Sequence, residues 1–287
     1  MSAKQGLSFW CSMFLQIILV LNGVSKINGL IREEPTAISG RVVGGKNAES
    51  NSASYIVSLQ HRGIHYCAGS IINKKWIITA AHCLKSKQQT MSCVIVAGSL
   101  NLAVTYTTTQ KRKVSYYVIH DLYTGGIAPY DIGLIYTNQA FQWTTAVMAV
   151  ALPENDVVPT GNADLYGWGS ISKTNEAKYP SILQVAKNIP ILSITICERA
   201  LGSKGKEIHS SNMCTGPLSG GIGICISDSG GPLVQTNSKG KTTLIGIVSW
   251  GEQPCGNLNS PSVYVQVSLF SKWITKNIDD YLINKAL

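Results

Sequence analysis

Hydrophobic and polar positions alternate in short bursts along most of this chain. Ser54 to Gln60, Ile71 to Ala80, Cys93 to Gly98, Val114 to His120 and Asp131 to Tyr136 form a first series. Ala163 to Gly167, Leu183 to Ile189, Pro232 to Gln235, Leu244 to Ser249 and Ser262 to Val267 form a second. Val, Ile, Tyr and Thr dominate them, residues that fit a pleated, half-buried surface. Many short strands between Gly and Pro turns predict an all-β fold of barrel or sandwich type. Helical periodicity is expected only at the end. After Ser271, the side chains of Trp273, Ile274, Ile278, Tyr281 and Leu282 fall on one apolar stripe.

The first 41 residues follow another pattern. Lys4 precedes an apolar run from Leu7 to Val24, with small residues Gly23 and Ser25 behind it. Residues 1–25 are therefore expected to be a secretory signal peptide. Ser8, Ser12, Gln16 and Asn22 interrupt the run and weaken a membrane anchor, and no later stretch is long enough to cross a bilayer. Residues 26–41 lack periodicity and end in Arg41, before Val42-Val43-Gly44-Gly45. This reads as a cleavable propeptide. Cutting after Arg41 would free an α-amino group on Val42, a cation able to seek a buried carboxylate.

Composition sharpens the class. With 287 residues, 45% hydrophobic and 14% charged, the chain has ample material for a core and is not disordered. A secreted destination makes the cysteines legible as disulfides. Cys11 leaves with the signal, so seven remain and at least one is unpaired within the chain. Spacing alone does not pair them, and the lack of any CxxC argues against zinc. From Val42 onward 20 basic and 13 acidic residues remain. That surplus suits a solvated face better than a nucleic-acid site, whose motifs are missing.

Three polar residues sit in unusual apolar surroundings. Ser229 lies in Cys225-Ile226-Ser227-Asp228-Ser229-Gly230-Gly231-Pro232, where glycines permit a tight turn that leaves a hydroxyl uncovered. His82, in Thr79-Ala80-Ala81-His82-Cys83, follows an apolar run, and Asp131 opens Ile132-Gly133-Leu134-Ile135. A serine nucleophile needs a base, a group that orients the base, and donors for an oxyanion. An acid at the edge of a hydrophobic strand needs a partner, and an imidazole N–H would serve. Singly, each residue reads as a core histidine, a turn aspartate or a turn serine.

Together, in the order His, Asp, Ser, they make the chain resemble the trypsin/chymotrypsin family of serine proteases from Val42 to its end. Arg41-Val42-Val43-Gly44-Gly45, Tyr166-Gly167-Trp168-Gly169 and Ile247-Val248-Ser249-Trp250-Gly251 add to the resemblance. Asp131 to Tyr136 and the Tyr166 phrase are most similar to fly gut enzymes, including the proteolytic lectins. The resemblance implies a protease domain over 42–287, built from two packed antiparallel six-stranded β-barrels. These would span about 54–152 and about 153–270, with a C-terminal helix over about 271–284. It implies that Ser229 attacks the scissile carbonyl, His82 shuttles the proton and Asp131 fixes the imidazole tautomer. Ser227 and Ser229 would supply the oxyanion N–H groups, and Ser249, Trp250 and Gly251 would pair with the substrate backbone. The freed Val42 amine would pair with Asp228. The implied disulfides are Cys67–Cys83, Cys197–Cys214 and Cys225–Cys255. Cys93 is left over and, alternating with Ile95 and Ala97, is expected to be a buried free thiol. A further bridge of the family would need cysteines where Ala163 and Gln235 stand.

Two departures bear on chemistry. Ser227 replaces a usual glycine, and its Cβ disfavours the backbone geometry that aims the oxyanion donor inward. A small torsional adjustment is expected to accommodate it; outright loss of such a donor costs about 100- to 1000-fold in turnover. In the specificity pocket, Gly223 stands at the base where trypsin-like members carry Asp. Ile224 and Ser262 are expected to narrow the slot, while Gly251 leaves its mouth open. The expected activity is that of a secreted, digestive-type endopeptidase with broad preference for apolar residues. Its partners would be protein or peptide substrates, a trypsin-like activator and protein inhibitors. No cofactor, metal, N-glycan or membrane partner is expected. The rival reading is a catalytically weak protease homologue acting as a binding protein, for example one that binds glycans.

Overall fold

The computed structural model describes residues 43–286, so the expected signal peptide, the propeptide, Arg41 and Val42 lie outside the described residues. After a two-residue strand β1 (Lys46–Asn47), the first barrel is built from β2 (Ile56–His61), β3 (Ile64–Ile71), β4 (Trp76–Thr79), β5 (Val94–Ala97), β6 (Gln110–Ile119) and β7 (Gly133–Thr137). These close in the order β2-β3-β4-β7-β6-β5, every pairing antiparallel. The second barrel uses β8 (Asn162–Gly167), β9 (Gln184–Leu192), β10 (Asn212–Thr215), β11 (Pro232–Thr236), β12 (Thr242–Trp250) and β13 (Ser262–Gln266). Its order is β9-β10-β13-β12-β11-β8, and pairing of β8 with β9 closes the ring while β1 adds to the edge of β9. The expected pair of six-stranded barrels is present. Closure leaves neither ring with an unpaired edge, so the two-residue β1 is the one terminal strand among the described residues.

Several elements escape the hydrophobic pattern. The run from Ile71 to Ala80 is broken where Asn73 Oδ1 accepts the backbone N–H groups of Lys75 and Trp76, each at 2.9 Å. Strand β3 was not expected because the hairpin joining it to β2 is Arg62-Gly63, with φ of 52° and 79°. Those values suit the two central residues of a tight hairpin turn, and arginine does not advertise that geometry. Helix was expected only at the C-terminus, yet α1 (Lys87–Met91) and α2 (Ile194–Leu201) are also helical. The start of α2, Ile194-Thr195-Ile196, looks like strand, but Ser193 Oγ caps it by accepting the Ile196 N–H at 3.3 Å. Cys197 in α2 is tied to Cys214 in β10, which anchors two short elements with weak patterns of their own.

The C-terminal helix α3 (Ser271–Ala286) runs two residues past its expected end at 284. Ile274 is fully buried, and the Tyr281 ring packs 4.6 Å from Tyr116, 4.5 Å from Tyr136 and 5.4 Å from Trp76. Leu282 does not join the stripe and is 48% exposed. Disulfides Cys67–Cys83 and Cys225–Cys255 also form, while Cys93 is a buried free thiol beside Tyr66 whose proton is held by burial.

Where the additional bridge would have joined β8 to β11, Gln235 takes over. The register Leu233↔Leu165 and Val234↔Asp164 places Gln235 across from Ala163. Its amide donates to the carbonyls of Thr160 at 2.7 Å and Asn162 at 2.9 Å. Two neutral hydrogen bonds of this kind contribute about 2 kcal/mol together. Gln235→Ala is expected to lower the unfolding free energy by that amount in a denaturant titration, and Thr236→Ala by less than half as much.

Candidate active site

The register of the first barrel brings the histidine and the aspartate together. β4 pairs with β7 through Thr79↔Gly133, so the segment leaving β4 and the segment entering β7 emerge side by side. His82 lies on the short 3-10 turn Ala81–Leu84, tethered by the Cys67–Cys83 disulfide, and Asp131 lies two residues ahead of β7. The buried Asp131 carboxylate uses both oxygens. Oδ1 accepts the His82 backbone N–H at 2.9 Å, while Oδ2 accepts from His82 Nδ1 at 2.7 Å and from Ser249 Oγ at 2.7 Å. An acceptor at Nδ1 places the proton there and leaves Nε2 as a base facing the cleft.

Ser229 arrives from the second barrel, in the turn that precedes β11. Gly230 donates to the Val248 carbonyl at 2.9 Å, and Ala68 of β3 donates to the Ser229 carbonyl at 2.8 Å. The turn is thus pinned on both sides. A Cβ on Gly230 would lie 2.1 Å from Thr79 Oγ1 and 2.4 Å from the Ala68 carbonyl, so only glycine allows this approach. His82 and Ser229 line one cleft. Among the described residues, Ser229 Oγ and His82 Nε2 make no hydrogen bond, and such contacts tighten once substrate is bound.

Ser227 does not adjust its torsions. It holds φ of 72°, the left-handed region, against a cost of about 1–2 kcal/mol for a residue with a Cβ. His65 holds it there, a residue the sequence reading passed over. The ring lies across β3 with Nδ1 2.8 Å from Ser58 Oγ and Nε2 3.0 Å from the Ser227 carbonyl, its edge against Trp168. Burial drives the His65 pKa down to about 4, only partly offset by the Ser227 carbonyl. A lone histidine two residues before a cysteine in an apolar strand is the one signal that could have flagged it. Neither the Ser227 nor the Ser229 N–H donates to a protein acceptor among the described residues.

Asp228 is fully buried between these two serines. Its oxygens accept N–H groups from Gly169 at 2.8 Å and Cys225 at 2.9 Å. Side chains on Gly167 or Gly169 would come within 2.0 Å and 2.3 Å of that carboxylate, which explains both glycines of Tyr166-Gly167-Trp168-Gly169. Burial still pushes its pKa up to about 7, despite the two donors. Nearby, Val43 is buried and its carbonyl accepts the Gly223 N–H at 3.2 Å.

The slot beside Ser229 is small, about 160 Å³, and is lined by Ile224, Ser249, Trp250 and Gly251 among others. Gly223 and Ser262 do not line it. Ser262 Oγ accepts the Ile224 N–H at 3.1 Å, and Gly223 backs onto Gly256. At the mouth, bare Gly251 faces the side chain of Ile224. Ile224 reaches across to within 3.0 Å of where a Cβ on Gly251 would stand. The sulfurs of Cys67 and Cys83 lie close to His82, but their mutual bond removes them as metal ligands.

The "Trypsin" family model matches residues 42–274. Lectizyme of Glossina austeni is 37% identical over 278 residues, covering 93% of this chain and 97% of that one. Trypsin of Sus scrofa is 34% identical over 244 residues, 85% and 98% of the two chains. Serine protease 1 of Canis lupus familiaris is 34% identical over 238 residues, 83% and 90%.

The strain at Ser227 is measurable. Ser227→Gly is expected to raise the unfolding free energy by about 1 kcal/mol in a chemical denaturation series. His65 adds a pH dependence of known sign. Its folded pKa lies below the ordinary histidine value, so the unfolded chain binds the extra proton and stability falls as pH drops from about 6.5 to 4. His65→Gln should flatten the slope of denaturation midpoint against pH in that window.

Proposed function

Because the chain belongs to the trypsin/chymotrypsin family of serine endopeptidases, we propose that Ser229 is its nucleophile, His82 its general base and acid, and Asp131 the group that orients His82. The observation that carries this reading is the double hold of the Asp131 carboxylate on His82 at the lip of the cleft that contains Ser229. In the reaction, Ser229 Oγ adds to the substrate carbonyl while His82 Nε2 takes its proton. The oxyanion receives the uncommitted N–H groups of Ser227 and Ser229. His82 then returns the proton to the leaving amine, and water repeats the sequence to release the acid. A positive φ at Ser227 supports a donor aimed at the oxyanion, and so favours the active enzyme over a catalytically weak homologue that acts as a binding protein.

The chain is made as a precursor in this reading: residues 1–25 direct secretion and residues 26–41 are removed by a trypsin-like activator cutting after Arg41. Protein inhibitors would act on the cleaved form. Asp228 supplies the physical reason for the cut. A fully buried carboxylate with only two backbone donors is costly to ionise, and a free Val42 amine next to buried Val43 would be its counter-ion. In the uncut chain the raised Asp228 pKa means that the folded state binds the extra proton, so its stability contribution is lost as pH rises from about 4 to 7. Cutting replaces that loss with an ion pair. The gain in thermal midpoint on cutting is therefore expected to grow with pH across this window; a gain that does not change with pH would reject the pairing.

Substrate preference follows from Ile224. A slot crossed by its side chain takes Ala or another small apolar residue, not an aromatic one. Profiling the cut chain on a peptide library tests activity and preference together, with Ser229→Ala expected to abolish hydrolysis. Ile224→Gly should raise kcat/KM for Phe relative to Ala by about 10- to 100-fold. Wild-type chain that favours Phe, or a variant whose profile does not move, would contradict the slot assignment.

A further inference from the structure

Asp131 needs a fixed backbone as much as it needs hydrogen-bond partners. Its carboxylate accepts three donors at 2.7 to 2.9 Å, so a drift of its Cα is felt by all of them at once. The backbone around it is a three-residue turn with Asp131 at its centre: the Ile132 N–H donates to the Tyr130 carbonyl at 2.7 Å. The His120 N–H donates to the Ile132 carbonyl at 3.1 Å and ties that turn to the end of β6. Tyr130 enters the turn with φ of 64°, left-handed backbone that a bulky residue rarely adopts. Such a conformation persists only where the surroundings over-determine it, and around Tyr130 the surroundings are rings.

His120, directly after β6, stacks on the Tyr130 ring with centroids 4.9 Å apart and planes 17° from parallel. His209, on the segment before β10, packs against the same ring at 5.2 Å and 52°. Phe270 meets Tyr130 and His120 edge-on at 6.1 Å and 5.4 Å, and Trp273 of α3 packs on His120 at 5.1 Å. Both histidines are themselves oriented by backbone. His120 Nδ1 accepts the Leu122 N–H at 3.2 Å, and His209 Nδ1 accepts the Ser211 N–H at 3.1 Å, so turning either ring costs it that bond. One histidine belongs to the first barrel, the other to the second, and Trp273 to the C-terminal helix. Aromatic clusters commonly do no more than fill space; this one grips a strained residue bonded to the carboxylate that holds His82.

We propose that Tyr130 is a positioning residue for the reaction: gripped by His120 and His209, its ring keeps Asp131 at the place from which the carboxylate orients His82. The inference rests on the assignment of His82, Asp131 and Ser229 to their catalytic roles. The backbone alone would relax out of the left-handed region, and the rings oppose that relaxation. Misplacing a reacting group by about 1 Å costs on the order of 100-fold in rate, so loosening Asp131 without removing it is expected to cost about 10- to 100-fold.

Tyr130→Gly separates ring from backbone, because glycine takes positive φ freely and has no ring. In the chain cut after Arg41, this variant is expected to lower kcat on a small-apolar peptide amide about 10- to 100-fold with KM little changed. His209→Ala, which leaves the turn intact, is expected to lower kcat about 3- to 10-fold, and it decides the matter alone if Tyr130→Gly does not fold. Tyr130→Phe and His209→Phe, which restore a ring, should recover most of each loss. The proton that His82 Nδ1 shares with Asp131 sits in a short, charge-assisted hydrogen bond and resonates far downfield in the proton NMR spectrum. Its resonance should shift or broaden in the ring-less variants and return in the Phe variants. An unchanged kcat, a loss carried by KM alone, or a lower kcat with the resonance unmoved each overturns the inference and leaves the catalytic assignments standing. A wild-type cut chain that hydrolyses no peptide and leaves Ser229 unreactive to a fluorophosphonate overturns both.

Discussion

The site depends on a seam. Each barrel closes through its own strand pairings, yet the groups a serine endopeptidase needs are split between them. Strand β3 resolves this with two contacts: the Ala68 N–H on the Ser229 carbonyl and the His65 ring on the Ser227 carbonyl. Gly230 lets the turn come close enough for both. The nucleophile turn is in effect held to the first barrel by its own carbonyls. The N–H groups of Ser227 and Ser229 are left without a protein acceptor among the described residues.

Strain and burial are concentrated at that seam. Ser227 sits at positive φ, His65 is buried with its basicity suppressed, and Asp228 is a carboxylate with no cation among its described partners. Each is unfavourable alone. Disulfide Cys225–Cys255, the tight packing of Gly167 and Gly169 around Asp228, and the bracing by Ser58 over-determine the arrangement. Strained conformations persist where neighbours leave no alternative, and they gather where a reaction needs fixed donors. The free amine expected at Val42 would relieve the one remaining imbalance, the ionisation of Asp228.

Much of this was legible in the residues. Ser229, His82 and Asp131 stand out because polar groups in apolar surroundings need partners, and the strand bursts mark most of both barrels. What stayed hidden was conformational or long-range. Arg62 at positive φ concealed a hairpin, and β-branched residues in α2 disguised a helix whose only overt mark is the Ser193 cap. Gln235 replaces a covalent bridge with hydrogen bonds that no spacing announces. Ile224 was legible as bulk, whereas its reach across to Gly251 depends on a rotamer and on Ser262 holding its backbone. His65 carries no motif of its own; its role exists only once β3 lies against the nucleophile turn.

The central claim is that this seam puts the imidazole of His82 in working contact with the hydroxyl of Ser229. Reaction of the cut chain with a fluorophosphonate, followed by peptide mapping, tests it most directly. The account predicts one phosphonylated residue, Ser229, with modification suppressed in His82→Ala and slowed in His65→Ala. Modification at another serine, or at Ser229 with a rate indifferent to His82, would contradict it.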